Sequence, residues 1–372
     1  MIPFIDLNLQ HKEIEGELDR AVKRVIKRSD FILGLDVRLF EKEFARFCNS
    51  IYAVGVSSGT DALFLALKSL GIKNGDEVIV PAFTYIATAL AVSYTGARPV
   101  FVDIEQNSYN IDVKKIKAAI SKNTKAIIPV HLYGQPADMR GILKIASDYH
   151  LRVIEDAAQA HGAGIKMAGR SWQEAGSIGD IGCFSFYPTK NLGGMGDGGM
   201  AVTNNERIYK SLLMLRDYGR VSKYEHSIIG YNSRLDTLQA AILRVKLKRL
   251  KAWNKRRQEI SGVYNKFLKG IDAVITPYES PSVKHVYHVY AIRIKKRDEL
   301  LKAFHTKGIA AIVHYPIPLH LQKAYKELGY RRGDFPIAEK VSQEILSLPM
   351  YPHLKEAQVK KICNIIKKVS HG

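Results

Sequence analysis

Apolar residues in the first two-thirds of the chain fall into two alternating kinds of run. Short runs bounded by glycine, proline or polar residues read as buried strands, at 51–56, 77–80, 99–102, 125–130, 152–155, 182–186 and 199–203. Between them lie helical periods at 61–70, ended by Gly71, at 86–94 and at 139–150. Strands that alternate with helices predict βαβ units and a mainly parallel sheet flanked by helices. After Arg234 the pattern changes to one long helical period over 235–268. A strand is predicted at 287–294, and helices at 300–307 and 336–346. The expected organisation is a large α/β domain over 1–245 and a smaller α+β domain over 246–372.

Composition adds few restrictions. The 372 residues are 46% apolar and 25% charged, the balance of a folded globular chain. No apolar run is long enough to span a membrane. The opening MIPFIDLNLQHKEIEGE has no basic stretch followed by an apolar one, so no export signal is expected. Cys48, Cys183 and Cys363 lie far apart in no metal or redox spacing. The expected location is the cytoplasm, and no metal is expected.

Charge is unevenly placed. The net charge is +20, of which +3 falls in residues 1–240 and +17 in residues 241–372. Clustered Lys and Arg attract phosphate, whether on nucleic acid or on a small anionic substrate. The basic residues come with no nucleic-acid-binding module, which favours the small anion. The densest stretch, 244–257, has eight basic residues in fourteen and reads as a solvated helix face.

Three segments carry chemistry. Ser57-Ser58-Gly59-Thr60-Asp61 follows a strand and opens a helix. A helix N-terminus offers unpaired N–H groups, and glycine lets backbone approach an anion. The same residues also suit an ordinary N-cap. Val153-Ile154-Glu155-Asp156 ends a strand in two acids, at the edge where open α/β sheets bind ligands. These acids could equally cap the next helix. Lys190 follows a third strand and precedes five glycines, Gly193, Gly194, Gly196, Gly198 and Gly199. Lysine forms Schiff bases with carbonyls, although most lysines are solvated surface groups.

One cofactor needs all three. Pyridoxal 5'-phosphate requires a phosphate cup, an acid facing its pyridine nitrogen and a lysine for its carbonyl carbon. Phe83 and Tyr85, just after a strand, are candidates to stack on its ring or to fill the core.

With these pieces in place, the chain resembles the DegT-type nucleotide-sugar aminotransferases, a branch of the fold-type-I pyridoxal phosphate enzymes related to aspartate aminotransferase. The residues that carry the likeness span nearly the whole chain. They are Ile2-Pro3-Phe4-Ile5-Asp6-Leu7, Ser58-Gly59-Thr60-Asp61-Ala62-Leu63 and the segment from Pro81 to Thr88. The segments 155–163, 184–192 and Gly230-Tyr231-Asn232-Ser233-Arg234-Leu235-Asp236 complete it.

The resemblance implies roles by position. Lys190 would carry the cofactor and move the proton, and Asp156 would pair with the pyridine nitrogen. Gln159 would approach the ring hydroxyl, and Tyr85 would stack on the ring. Gly59, Thr60 and Ser185 would hold the phosphate. Asn232 would complete the phosphate cup of a neighbouring subunit, which requires a homodimer with shared sites. Some relatives with histidine at the position of Lys190 are sugar dehydratases, so the lysine implies transamination. L-glutamate would be the donor, with pyridoxamine 5'-phosphate as the intermediate cofactor form.

The acceptor implied is a nucleotide-linked keto sugar. Candidate contacts are Tyr187, Arg220, Tyr224, His226, His314, Tyr315 and His320. Arg, Lys, His and Tyr suit phosphate and sugar hydroxyls. The Gln159-Ala160-His161 and His314-Tyr315-Pro316 segments resemble enzymes acting at C-3 of a dTDP-linked 3-keto-6-deoxyhexose. The same chemistry at C-4 or on a UDP-linked 3-keto sugar is the alternative. A reading of another class is a non-catalytic regulator that binds a nucleotide sugar or DNA.

Overall fold

The computed structural model describes residues 1–167 and 171–371. Seven strands form one sheet in the spatial order Tyr52–Val56, Gly199–Thr203, Ile181–Ser185, Arg152–Asp156, Thr124–Ile127, Glu77–Pro81, Arg98–Val102. Pairing is parallel from Ile181–Ser185 to Arg98–Val102. Gly199–Thr203 alone is antiparallel to both of its neighbours. The loop that returns the chain to it, 186–198, contains no crossover helix, and a parallel return would need one. Six strands therefore present their carboxyl ends along one edge. Helices cover both faces, which is why the strands read as continuous apolar runs.

The expected α/β architecture holds, with local shifts that have causes. The run predicted at 125–130 pairs as a strand only over Thr124–Ile127. Pro129 has no N–H for a ladder, and Val130 makes an isolated bridge to Asp156 instead. The helix predicted at 336–346 stops at Glu344, and Ile345–Leu348 is a strand paired with Tyr290–Ile294. All four residues of that strand are buried. Burial on both sides of successive residues suits a covered strand, not one stripe of a helix. The strand predicted from 287 begins at Tyr290, because Tyr287 takes the left-handed conformation at φ 44°.

A second core forms around the small sheet Val274–Ile275, Tyr290–Ile294 and Ile345–Leu348, under the helices Arg297–Thr306 and Glu356–His371. Ile2 joins it, with its N–H donating to the Gly308 carbonyl at 2.8 Å. The helix Thr237–Leu268 serves both cores. Ala240, Leu243 and Leu250 pack beneath the large sheet, and Ile260, Tyr264 and Leu268 pack in the second core.

Only half of the basic stretch of that helix is a solvated face, with Lys248, Lys251, Lys255 and Arg256 exposed. Lys246 and Arg257 are buried. Arg244 pairs with Asp36 and Glu43, and Arg249 pairs with Glu17. The N-terminal helices Glu15–Arg28 and Leu35–Phe47 lie along it and supply those carboxylates. Half of the eight basic residues thus serve the fold. No helix among the described residues is long and apolar enough to cross a membrane.

Candidate active site

The carboxyl edge of the sheet opens into a cavity of about 490 Å³. Ser58, Gly59 and Thr60 line it from the turn after Tyr52–Val56, and Thr84, Tyr85 and Thr88 from the segment after Glu77–Pro81. Asp156 and Ser185 stand at the ends of their strands, and Tyr187 and Lys190 follow Ser185. The three segments singled out in the sequence, more than 120 residues apart at their extremes, meet here because parallel strands put their carboxyl ends together.

One end of the cavity is built for an anion. Ser58 caps the helix Gly59–Ser69, its Oγ accepting from the Asp61 N–H at 3.0 Å. Gly59 and Thr60 are the first helical residues, whose N–H groups have no partner within the helix. A Cβ on Gly59 would lie 2.6 Å from Ser185 Cβ, so only glycine lets that turn close on the strand end. The hydroxyls of Ser57 and Ser58 are engaged elsewhere. Ser57 faces Asp61 and Ser233, and Ser58 forms the cap. Ser185 Oγ accepts from the Tyr187 N–H at 3.3 Å and keeps its own proton to donate.

The other end holds a buried acid and a lysine. Asp156 accepts from Thr88 Oγ1 at 2.7 Å and from the Ala158 N–H at 3.2 Å. Burial pushes its carboxyl above the usual range, against the opposing pull of Thr88, the Ala158 N–H, Lys190 and His131. Burial lowers Lys190 to about 8, with Asp156 pulling the other way. Behind them, His131 Nδ1 accepts from the Ala137 N–H at 3.0 Å, so its proton sits on Nε2 and is donated to Glu155 at 2.9 Å. Glu155 also accepts the N–H groups of Gly176, Ile178 and Gly179. The first acid of the pair is thus structural, and the second faces the cavity.

Gln159 braces the wall. Its Oε1 accepts from the Tyr133 N–H at 2.7 Å, and its Nε2 donates to the Tyr315 hydroxyl at 3.1 Å. The Tyr85 and Tyr315 rings lie 5.9 Å apart. Phe83, the other stacking candidate, is buried against the edge of Tyr315 and belongs to the core. His314 lines the cavity with Nδ1 2.9 Å from Ser347 Oγ, and burial lowers it to about 4.

The remaining predicted residues are elsewhere. His320 is buried at 2% exposure, its Nε2 3.0 Å from Glu339 and its ring against the edge of Phe335. It is a core residue and not a substrate contact, because the turn Leu319–Leu321 points it inward. Arg220, Tyr224, His226 and Asn232 are exposed and do not line this chain's cavity. Arg220 faces Asp217, and His226 Nδ1 faces the Tyr218 carbonyl at 2.8 Å. Sequence reasoning assigned no role to Thr88, Tyr133 and His288, which all line the site. Only Thr88 carried a signal in the sequence, as the last residue of the segment 81–88. Among the described residues no group of acids, histidines and cysteines could hold a metal.

The donor set fits pyridoxal phosphate. Free amides and a hydroxyl at one end, a buried carboxylate, an amine and flat aromatic faces are its complement.

Comparison with known proteins agrees. The DegT/DnrJ/EryC1/StrS aminotransferase family profile matches residues 12–367. The chain is 46% identical to a UDP-N-acetyl-3-dehydro-alpha-D-glucosamine 3-aminotransferase of Acidithiobacillus ferrooxidans, covering 100% of this chain and 98% of that one. It is 43% identical to a dTDP-3-amino-3,4,6-trideoxy-alpha-D-glucose transaminase of Streptomyces venezuelae, covering 99% and 96%. The crystal structure of S. venezuelae DesV in complex with a ketimine intermediate superposes with a TM-score of 0.96 at 42% identity, covering 100% and 99%.

Proposed function

The chain belongs to the DegT/DnrJ/EryC1/StrS aminotransferase family, and we propose that it moves an amino group from L-glutamate to C-3 of a nucleotide-linked keto sugar. It is a pyridoxal 5'-phosphate-dependent aminotransferase. The observation that carries the reading is the meeting of Lys190, Asp156 and the first turn at Gly59 in one cavity. The C-3 assignment is supported by the relatives that share 46% and 43% identity over almost the whole chain, both named for position 3. One is named for a UDP sugar and the other for a dTDP sugar. The acceptor class proposed is therefore a 3-keto sugar on either carrier, such as a dTDP-3-keto-6-deoxyhexose.

The bound cofactor supplies a carbonyl that takes up an amino group and a ring that draws electrons from the substrate carbon. Gly59 and Thr60 would donate backbone N–H groups to its phosphate, and Ser185 would donate its hydroxyl. The Asp156 carboxylate would face the ring nitrogen and keep a proton there. Tyr85 would cover one face, and Gln159 would stand by the ring hydroxyl. Lys190 Nζ removes the proton from the α-carbon of glutamate and later delivers one to C-3 of the sugar. A lysine lowered to about 8 is neutral often enough near neutral pH to take that proton. The products are 2-oxoglutarate and a 3-amino sugar. Tyr187, His314 and Tyr315 contact the acceptor.

Asn232, exposed and outside its own cavity, completes the site of a second copy in a homodimer, with Arg220, Tyr224 and His226 on the same loop system. Residues 1–245 form the cofactor-binding part and 246–372 the smaller part. The enzyme works in the cytoplasm.

The test is a visible spectrum of the purified protein and Lys190→Ala. Cofactor absorbance that L-glutamate bleaches, and that a 3-keto but not a 4-keto nucleotide sugar restores, is the expected result. No cofactor absorbance after addition of pyridoxal phosphate would move a non-catalytic, regulatory reading to the front.

A further inference from the structure

A chain of side-chain amides fixes the tautomer of a cavity histidine that the reading above does not use. It starts at two backbone carbonyls, which can only accept. Asn254 Nδ2 donates to the His161 carbonyl at 2.7 Å, and Asn191 Nδ2 donates to the Val286 carbonyl at 3.0 Å. The amide orientations of both asparagines follow from those contacts. Asn254 Oδ1 must then accept from Asn191 Nδ2, at 2.9 Å. Asn191 Oδ1 is left facing His288 Nδ1 at 3.3 Å. An amide oxygen can only accept, so the His288 proton sits on Nδ1 and Nε2 carries a lone pair.

His288 lines the cavity beside Lys190, and its Nε2 has no protein partner among the described residues. Its backbone is held too, since Arg257 Nη1 donates to the carbonyls of Tyr287 and His288 at 3.2 and 3.4 Å. Burial and the nearby charges of Lys190 and Arg257 keep the ring neutral. A second proton on Nε2 would add positive charge beside an amine and a guanidinium.

We infer that His288 Nε2 is a fixed, uncharged acceptor for a hydroxyl of the keto sugar, and so a specificity-determining residue of the acceptor half-reaction. The inference rests on the reading of the site as a sugar aminotransferase. Its chemistry suits the sugar better than glutamate. Glutamate needs donors for its two carboxylates, whereas a sugar offers hydroxyl protons to an acceptor. A site built to accept a substrate hydroxyl also discriminates against the analogue that lacks it.

The test separates the two half-reactions in the holoenzyme. Glutamate bleaching reads the first, and recovery of absorbance with a 3-keto nucleotide sugar reads the second. In His288→Leu the second half should fall about tenfold to a hundredfold further than the first. His288→Gln, whose amide oxygen reaches the position of Nε2, should recover most of that difference. A panel of keto sugars each lacking one ring hydroxyl should show one analogue that is poor for the native enzyme and no worse than its parent for His288→Leu. A readout independent of turnover is the ¹⁵N NMR spectrum of histidine-labelled, cofactor-free protein. There the resonances lost in His288→Gln should report a protonated Nδ1 and a bare Nε2 at neutral pH. Equal losses in both half-reactions, no rescue by glutamine, or a proton on Nε2 would each overturn the inference. If glutamate bleached nothing even in the native protein, the aminotransferase reading itself would fail instead.

Discussion

Thr88, on the helix after the second strand, donates its hydroxyl to Asp156 at the end of the fifth, at 2.7 Å, and both residues are buried. This bond opposes the upward push of burial on the carboxyl. Thr88→Val keeps the shape and removes the donor. The carboxyl should then rise further, and pyridoxal phosphate affinity should fall by about 1.5–3 kcal/mol, the worth of a bond to a charged group. The loss should deepen as pH falls, because the charged carboxyl is the form that holds the ring nitrogen. Spectroscopic titration of the cofactor at several pH values checks it. Equal affinity in both proteins would remove Thr88 from the site.

Lys190 should behave as an unusually acidic lysine. In cofactor-free protein its acylation should reach half its maximal rate near pH 8, against 10.5 for an ordinary lysine, as read by peptide mass spectrometry. The folded state holds this proton less tightly than the unfolded chain does. The lysine therefore costs stability below about pH 8, and stability rises as pH climbs from about 8 towards 10.5. Lys190→Ala should abolish both half-reactions without lowering the Tm of the cofactor-free protein at pH 7. Its stability should rise less steeply over that window, and Lys246, which burial also lowers to about 8, contributes to the slope that remains.

Gly59→Ala should weaken cofactor binding and the fold together. The new methyl would lie 2.6 Å from Ser185 Cβ, and overpacking of that kind costs about 1–3 kcal/mol. Denaturant unfolding and cofactor titration should both show it. Unchanged cofactor affinity would place the phosphate elsewhere.

His320 should matter to stability and not to catalysis. His320→Ala leaves the Glu339 carboxylate short of a partner and opens space beside Phe335. A loss of about 2–3 kcal/mol is expected, with kcat/KM per folded molecule preserved. A change in KM for the sugar would restore His320 to the substrate site.

Subunit mixing tests the shared site. Lys190→Ala and Asn232→Ala proteins, each impaired alone, should regain about a quarter of native activity when refolded together in equal amounts. About half the dimers are then mixed, and each mixed dimer carries one intact site. No recovery would place Asn232 in its own chain's site or outside any.

Much of the site is legible in the sequence, for a local reason. Ser58-Gly59-Thr60, Asp156 and Lys190 each sit within a few residues of a strand end, and strand ends show in the apolar pattern. The histidines are not legible in this way. His320 stands five residues from the cavity-lining Tyr315, and one inward turn sends it to Glu339. His288 sits in an apolar run that reads as core, yet it reaches the cavity beside Lys190. The sequence also hides the destination of the basic stretch 244–257, because ion pairs with Asp36, Glu43 and Glu17 span about 200 residues or more.

What the sequence determined by itself is the alternation of strands and helices, the cofactor, and the residues adjacent to strand ends. Those depend on short-range patterning and on chemistry that only a few residue types can perform. What the tertiary structure decided is which polar side chains face the cavity and in what protonation state. The lone pair on His288 Nε2 is set by Asn191 and Asn254, and the charge on Asp156 is balanced by Thr88, all from distant segments. Burial and hydrogen-bond partners control both properties, and neither exists until the chain has folded.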